Sequence, residues 1–530
     1  MENVLKNKQA NRVSNPGVSY SQEDWARGYE SQRHEDDYWI DQVEGEIPKE
    51  LRGTWLRNGP GLLDINGYRV HHPFDGDGMI CAIAFDHGRA HFRNRFVRTE
   101  GFLAEQKAGK PVYRGVFGTQ KPGGWLANLF DVQLKNIANT NVIYWGGKLL
   151  ALWEAAKPYA LDPLTLETFG EDNLDGVLLG GESFAAHPWI DPRCKLDGGQ
   201  PCLVNFAIQP GLSSKITIYE LNPTGKLLRR QAYSVPGFCF IHDFAITPNY
   251  CIFFQNPVSY NPFPFLLGYR GAGECLAYQP EQPTRIIVIP RKQNTEEVKI
   301  LETQSGFIFH HANAFEEDGK IYVDSICYES LSAVEVGSDF REVDFNAIAP
   351  GQLWRFTLNL TQKTVASNLL EERCCEFPSI HPNHVGNPYR YLFIGAADHP
   401  TRNAPLQGIL KIDMATKTQQ FWSAAPKGFI SEPMFVPRPN AEREDDGWVL
   451  TLVYDASHHR SDLVILDGRD LTSGPVARLH LKHHIPYGLH GSWSGELLGV
   501  GLNQVKGCSR SVAKRPRFNK VEGLRFKVES

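Results

Sequence analysis

Six ionisable residues, His187, His242, His310, Glu376, Glu432 and His490, each open a short strand-like run, at successive intervals of 55, 68, 66, 56 and 58 residues. This spacing constrains the fold more than any other feature of the chain. Before and among the six lie strongly apolar runs: LLALWE ahead of His187, then CLVNFAI, YCIFFQN, IYVDSI, YLFIGA and WVLTLVY. They are rich in β-branched and aromatic residues and read as strands. A third set of segments closes on polar turns led by Asp or Asn, three of them of the form Asp/Asn-x-x-Thr/Gly: ALDPLTLET, ELNPTGKLL, TLNLTQKTV, KIDMATKTQ and ILDGRDLTS. Each reads as strand, turn, strand.

A four-stranded sheet repeated about every 60 residues is the pattern of a β-propeller, with inner strands around a central channel. About 450 residues of core at that period give seven blades. The repeat lies in hydrophobic pattern and spacing, since WD and kelch signatures are absent. A sandwich or a pair of barrels is the competing architecture. The 34 prolines and 48 glycines supply many turns. The chain divides into an N-terminal arm (1–34), expected to be mobile, a single all-β propeller with a loop and helical cap (35–498), and a basic tail (499–530), expected to be disordered. Residues 501–530 hold eight Lys/Arg against two Glu.

Net charge is −5, so no global field invites nucleic acid. No apolar stretch is long enough to span a bilayer, and the first residues lack the apolar core of a signal peptide. Ten dispersed cysteines without a C-x-x-C pair read as reduced thiols of a cytosolic protein.

If the inner strands converge, four histidines and two glutamates meet at one end of the channel. Imidazole suits Fe, Cu, Zn and Ni. Three histidines with one open position would suit hydrolytic zinc. Four without a carboxylate, in an octahedral field, leave up to two positions free and suit Fe(II) binding O2. Ligating histidines usually donate their second ring N–H to a carboxylate; Glu376 and Glu432, with Glu154 at the end of LLALWE, are placed for that. A histidine taken singly is more often a surface or core residue than a ligand. The spacing is what raises His187, His242, His310 and His490 together. Adjacent strand residues face opposite sides, so the doublet His310-His311 supplies one ligand at most.

The segments AAHPWIDP, FIHDFAIT, FIFHHANAFEEDGK, RCCEFPSI, SEPMFVPRP and HHIPYGLHGSW resemble the signature segments of the carotenoid cleavage oxygenases. LRGTWLRNGP, HHPFDGDGM, KNIANTNV and LLALWE match the same family's N-terminal segments. The resemblance runs from about residue 35 to residue 495. YRGVFGTQKPGGWLANLFD and GYRGAGEC resemble its apocarotenoid-cleaving branch. It implies a seven-bladed propeller holding one Fe(2+) on His187, His242, His310 and His490, with Glu154, Glu376 and Glu432 behind the ligands. The family pattern F-x-F-H-x-x-N selects His310 over His311. It also implies O2-dependent cleavage of a conjugated C=C bond, here the 15,15′ bond of an apocarotenal or apocarotenol, giving retinal and a second aldehyde.

An apolar polyene needs an aromatic conduit, for which Phe74, Trp153, Phe240, Phe307 and Tyr328 are candidates. The resemblance places Thr140 near the open metal positions. Residues 116–130 and 256–271 carry apolar side chains on Gly- and Pro-rich loops and read as a peripheral membrane contact of a monomeric protein. Two other functions remain open: cleavage of resveratrol-type stilbenes, for which Lys135 is available but Phe102 offers no hydroxyl, and non-catalytic carotenoid binding.

Overall fold

The computed structural model describes residues 19–292, 297–331 and 339–500. In it the five polar turns all join the third and fourth strands of a sheet. One side-chain oxygen closes each turn on the N–H groups just ahead. Asp162 accepts from Leu164 and Thr165, Asn359 from Thr361 and Gln362, and Asp413 from Ala415 and Thr416. The residue four places after each acceptor, Leu166, Lys363 or Lys417, then turns to positive φ.

Seven antiparallel blade sheets result; five of them are four-stranded, and four of these five are made of consecutive strands. Their innermost strands are Asn141–Trp145, Trp189–Asp191, Ala245–Ile246, Phe307–Glu317, Cys375–Ile380, Met434–Pro437 and Gly491–Ser494. The strongly apolar runs are the second strands, such as Cys202–Gln209, Tyr391–Ala397 and Gly447–Asp455. Buried on both faces between neighbouring blades, they show little alternation of polarity.

The ring is closed from both chain ends. Gly53–Arg57 pairs with Gly491–Ser494, placing Thr54 opposite Ser494 and Arg57 opposite Gly491. Val43–Gly45 adds the outermost strand to the last blade, against Pro475–His480. Outside the blades lie the cap elements, including helices Glu100–Ala108, Gly124–Asn128 and Phe263–Leu266.

The expectation of a mobile arm over 1–34 needs correction in its second half. Gln22–Arg27 is a helix capped by the Ser21 hydroxyl, which accepts from the Asp24 N–H. Its Trp25 is buried against Phe345, Tyr29 and Tyr487. The helix is held as well by the Gln22 side-chain amide, which donates to the Arg341 and Val343 carbonyls. Residues 1–18 and the basic tail from 501 lie outside the described residues.

Candidate metal centre

The six residues that set the period all reach the innermost strands. His187, His242, Glu432 and His490 lie one to three residues before them, and His310 and Glu376 lie within them. The remaining inner strand, Asn141–Trp145, is preceded by Thr140, whose carbonyl accepts the His490 N–H at 3.0 Å. The four imidazoles converge, with one nitrogen of each within 4.8 Å of the others. Ring centroids are 4.3 Å apart for His187–His242 and for His187–His490, and 4.8 Å for His310–His490.

Three of the rings are held from behind by carboxylates. His242 Nδ1 donates to Glu154, His310 Nδ1 to Glu376 Oε2 at 2.6 Å, and His490 Nδ1 to Glu432 Oε1 at 2.9 Å. An ionised carboxylate only accepts, so the proton of each imidazole sits on Nδ1 and the Nε2 lone pair points to the centre. His187 has no carboxylate partner among the described hydrogen bonds. Burial and then the neighbouring imidazoles push its pKa well below the ordinary histidine value, so it is neutral there.

The glutamates are themselves anchored. Burial works against charge on Glu376, but His310, the Phe377 N–H and the Tyr328 hydroxyl outweigh it and hold its pKa below the usual value. Tyr328 donates to Oε1 at 2.7 Å. Glu432 is likewise lowered against the effect of burial, by His490 and Arg57. Arg57, itself buried, donates Nη1 to Glu432 Oε2 at 2.5 Å.

The donor set fits a divalent transition-metal ion. His310 Nε2 is buried without a hydrogen-bond partner. His187 Nε2 and His242 Nε2 face each other at 2.8 Å, close to the roughly 3 Å that separates two adjacent ligands on metal–nitrogen bonds of about 2.1 Å. Four imidazoles with carboxylates behind three of them suit iron, copper, zinc or nickel.

His311 turns away from the centre. Its Nδ1 meets Ser325 Oγ at 2.7 Å and its ring packs on Phe254. Strict alternation would also carry Phe309 away. Register shifts between Ile308 and His311 and between His311 and Asn313 break the alternation, as bulges do. They bring the Phe309 ring to 5.6 Å from His242. Asn313, three places after His310, binds the carbonyls of His384 and Asn387 and ties the strand to the next blade.

The tunnel candidates fall into different settings. Phe240 and Phe307 are neighbours at 6.2 Å, and Phe307 meets Phe309 at 4.6 Å. Trp153 is buried and bridges to Phe184, just before Glu154. Phe74 packs with His72 and Phe117 in a separate loop cluster. Tyr328 sets its ring 5.7 Å from Phe309 and gives its hydroxyl to Glu376. Sequence reading passed over Phe309, Phe377 and Arg57. Phe377 lies 5.6 Å from His310 and 5.3 Å from His490, at φ 59°, a conformation rare for a bulky side chain. A charge inside the apolar strand TWLR was the signal for Arg57.

Fold and site together define a β-propeller whose tetra-histidine centre fits a metal ion. The family model for retinal pigment epithelial membrane protein, RPE65, matches residues 29–495, and the chain belongs to that family. Apocarotenoid-15,15′-oxygenase of Synechocystis is 57% identical over 477 residues, covering 90% of this chain and 97% of that protein. Lignostilbene-α,β-dioxygenase isozyme III of Sphingomonas paucimobilis is 32% identical, over 86% of this chain and 93% of its own length. Resveratrol cleavage oxygenase 1 of Aspergillus fumigatus is 33% identical, over 88% and 94%. The crystal structure of cobalt-substituted Synechocystis ACO superimposes with a TM-score of 0.89 at 57% identity, covering 90% of this chain and 99% of that one.

Proposed function

We propose that this chain is a non-haem Fe(II) dioxygenase that cleaves apocarotenals or apocarotenols at the 15,15′ double bond, giving retinal and a second aldehyde. The observation that carries the reading is the convergence of four imidazoles, three of them backed by glutamates, in a chain 57% identical to an apocarotenoid oxygenase. Iron(II) held by His187, His242, His310 and His490 supplies the O2 chemistry that splits an electron-rich C=C bond into two carbonyls. Glu154, Glu376 and Glu432 fix the tautomer and direction of three of the imidazoles. Phe309 and Phe377 lay apolar rings against them and keep water away. No side chain is asked to act as a general acid or base.

The stilbene reading needs a lysine free to meet a phenol. Lys135 is buried and already bonded, 2.6 Å from Asp77 and also to Glu105. Phe102 is buried and stacks on Phe96. These commitments favour a polyene over a phenolic substrate. Against mere carotenoid binding stands the complete donor set. Incubation with a panel of apocarotenals and stilbenes, with products identified by mass spectrometry, tests the reading. Retinal from apocarotenals alone supports it, and cleavage confined to stilbenes overturns it.

No helix among the described residues is long and apolar enough to cross a membrane. Our reading is a protein that takes its substrate while resting on a lipid surface. The two loop segments support it by sharing one exposed apolar patch. Trp125 stacks on Tyr269 at 5.6 Å, the Phe130 N–H donates to the Leu266 carbonyl, and Leu126, Phe130, Phe263 and Leu267 are exposed. Such a patch suits a membrane contact.

A further inference from the structure

We propose that Cys194 and Cys202 form a reversible dithiol–disulfide couple that staples the hairpin leading out of the His187 strand. The inner strand Trp189–Asp191 is followed by a compact loop and then by Cys202–Gln209, with Asp191 opposite Cys202. The loop folds back on itself: the Cys194 N–H donates to the Gln200 carbonyl, and the Gly199 N–H to the Cys194 carbonyl. Gly198 and Gly199 take the positive φ values that this return requires. Both thiols are thereby buried beneath exposed residues Lys195, Leu196 and Gln200, with their sulfurs within 4.8 Å of each other.

The two thiols are not equivalent. The Cys202 thiol donates to Cys194, and the Leu196 N–H and Arg291 add to that stabilisation. Against burial, these hold the Cys194 pKa below the ordinary thiol value, while Cys202 is pushed up as the donor and by burial. A low-pKa thiolate beside a protonated partner is the arrangement of an attacking and a resolving cysteine.

Asp191 completes a trio that could hold a soft metal ion. Arg291 argues against one. Its guanidinium already donates to Asp191 at 2.8 Å and Glu220 at 2.9 Å, and lies 3.7 Å from Cys202 Sγ. A divalent cation would sit against that fixed positive charge, whereas thiolate chemistry is assisted by it.

The oxidant is a peroxide. The Cys194 thiolate attacks one peroxide oxygen, the O–O bond breaks, and the departing oxygen leaves as water, giving a sulfenic acid. Cys202 then attacks that sulfur, the S–O bond breaks, and a second water carries off the thiol proton. Two thiols lose two electrons, and one hydrogen peroxide becomes two waters. A thiol reductant reverses the bond.

The sequence supplies a clean readout. Trypsin cuts after Arg193, Lys195 and Lys215, so the disulfide keeps the dipeptide Cys194-Lys195 attached to peptide 196–215. The full chain is titrated with hydrogen peroxide and mapped by mass spectrometry without reduction. The linked pair should appear at about tenfold lower peroxide than oxidation of the other described cysteines, and dithiothreitol should dissolve it. In Cys202→Ser, a sulfenic-acid probe should label Cys194. Two results overturn the proposal. One is a linked pair that forms no earlier than oxidation elsewhere, or not at all. The other is stoichiometric binding of Cd2+ with a thiolate–cadmium absorption band that both Cys194→Ser and Cys202→Ser abolish, which would assign the trio to a metal instead.

Discussion

One carboxylate, Glu376, joins His310 and Tyr328: His310 Nδ1 lies 2.6 Å from Oε2 and the Tyr328 hydroxyl 2.7 Å from Oε1. The glutamate orients a metal ligand on one side and is itself oriented on the other. Glu376→Gln keeps the size and a hydrogen-bond acceptor but removes the charge. Metal affinity should fall by about 10–100-fold while circular dichroism stays unchanged. Unaltered metal content after dialysis against a chelator would show that this carboxylate does not support the site.

The histidine doublet separates ligation from packing. His310→Ala should lose bound metal and activity and keep the fold. His311→Ala should keep metal at one per chain and lose about 2–4 kcal/mol of stability, through the cavity beside Phe254 and the loss of the Ser325 contact. Metal analysis with denaturant melts distinguishes them, and the reverse pattern would exchange the two roles.

Arg57 and Glu432 form a buried ion pair at 2.5 Å, and Glu432 also takes the Gly491 N–H at 3.1 Å. Arg57→Met leaves a buried carboxylate without its cation, which costs about 3–5 kcal/mol. It should also weaken metal binding, because Glu432 holds His490. A variant as stable as the parent, with the same metal affinity, would mean that the pair carries no weight.

How much of this could be read beforehand divides by physical cause. The blade count and the four imidazoles were legible because a propeller repeats one strand pattern around an axis. Residues that open inner strands therefore come together whatever lies between them. The Asp162, Asn359 and Asp413 turns were legible because their side-chain oxygens act on backbone only two or three residues away. Phe309 and Phe377 were not. Both lie at register breaks, where alternation fails, and Phe377 carries a positive φ that is rare for a bulky side chain. Tyr328 was visible as an aromatic near the site, but its bond to Glu376 spans 48 residues and comes from two blades packing together. The docking of Trp25 depended in the same way on distant partners.

The apolar patch makes its own prediction. Phe263 and Leu267 are exposed, whereas Leu266 is half-buried and its carbonyl is engaged by Phe130. Changing Phe263 and Leu267 together to Ser should weaken liposome co-sedimentation about tenfold or more, since burying either side chain is worth about 1.5–3 kcal/mol. Cleavage of detergent-dispersed substrate should be unchanged. Liposome binding equal to the parent's would place the membrane contact elsewhere.

The most direct measurement is a product analysis of the Fe(II)-loaded chain with an apocarotenal under O2. Retinal and the complementary aldehyde should appear together, with O2 consumed in step, and neither should form under argon or from His310→Ala. If the iron-loaded chain binds the apocarotenal and returns it intact under O2, the account of a cleaving tetra-histidine centre is contradicted.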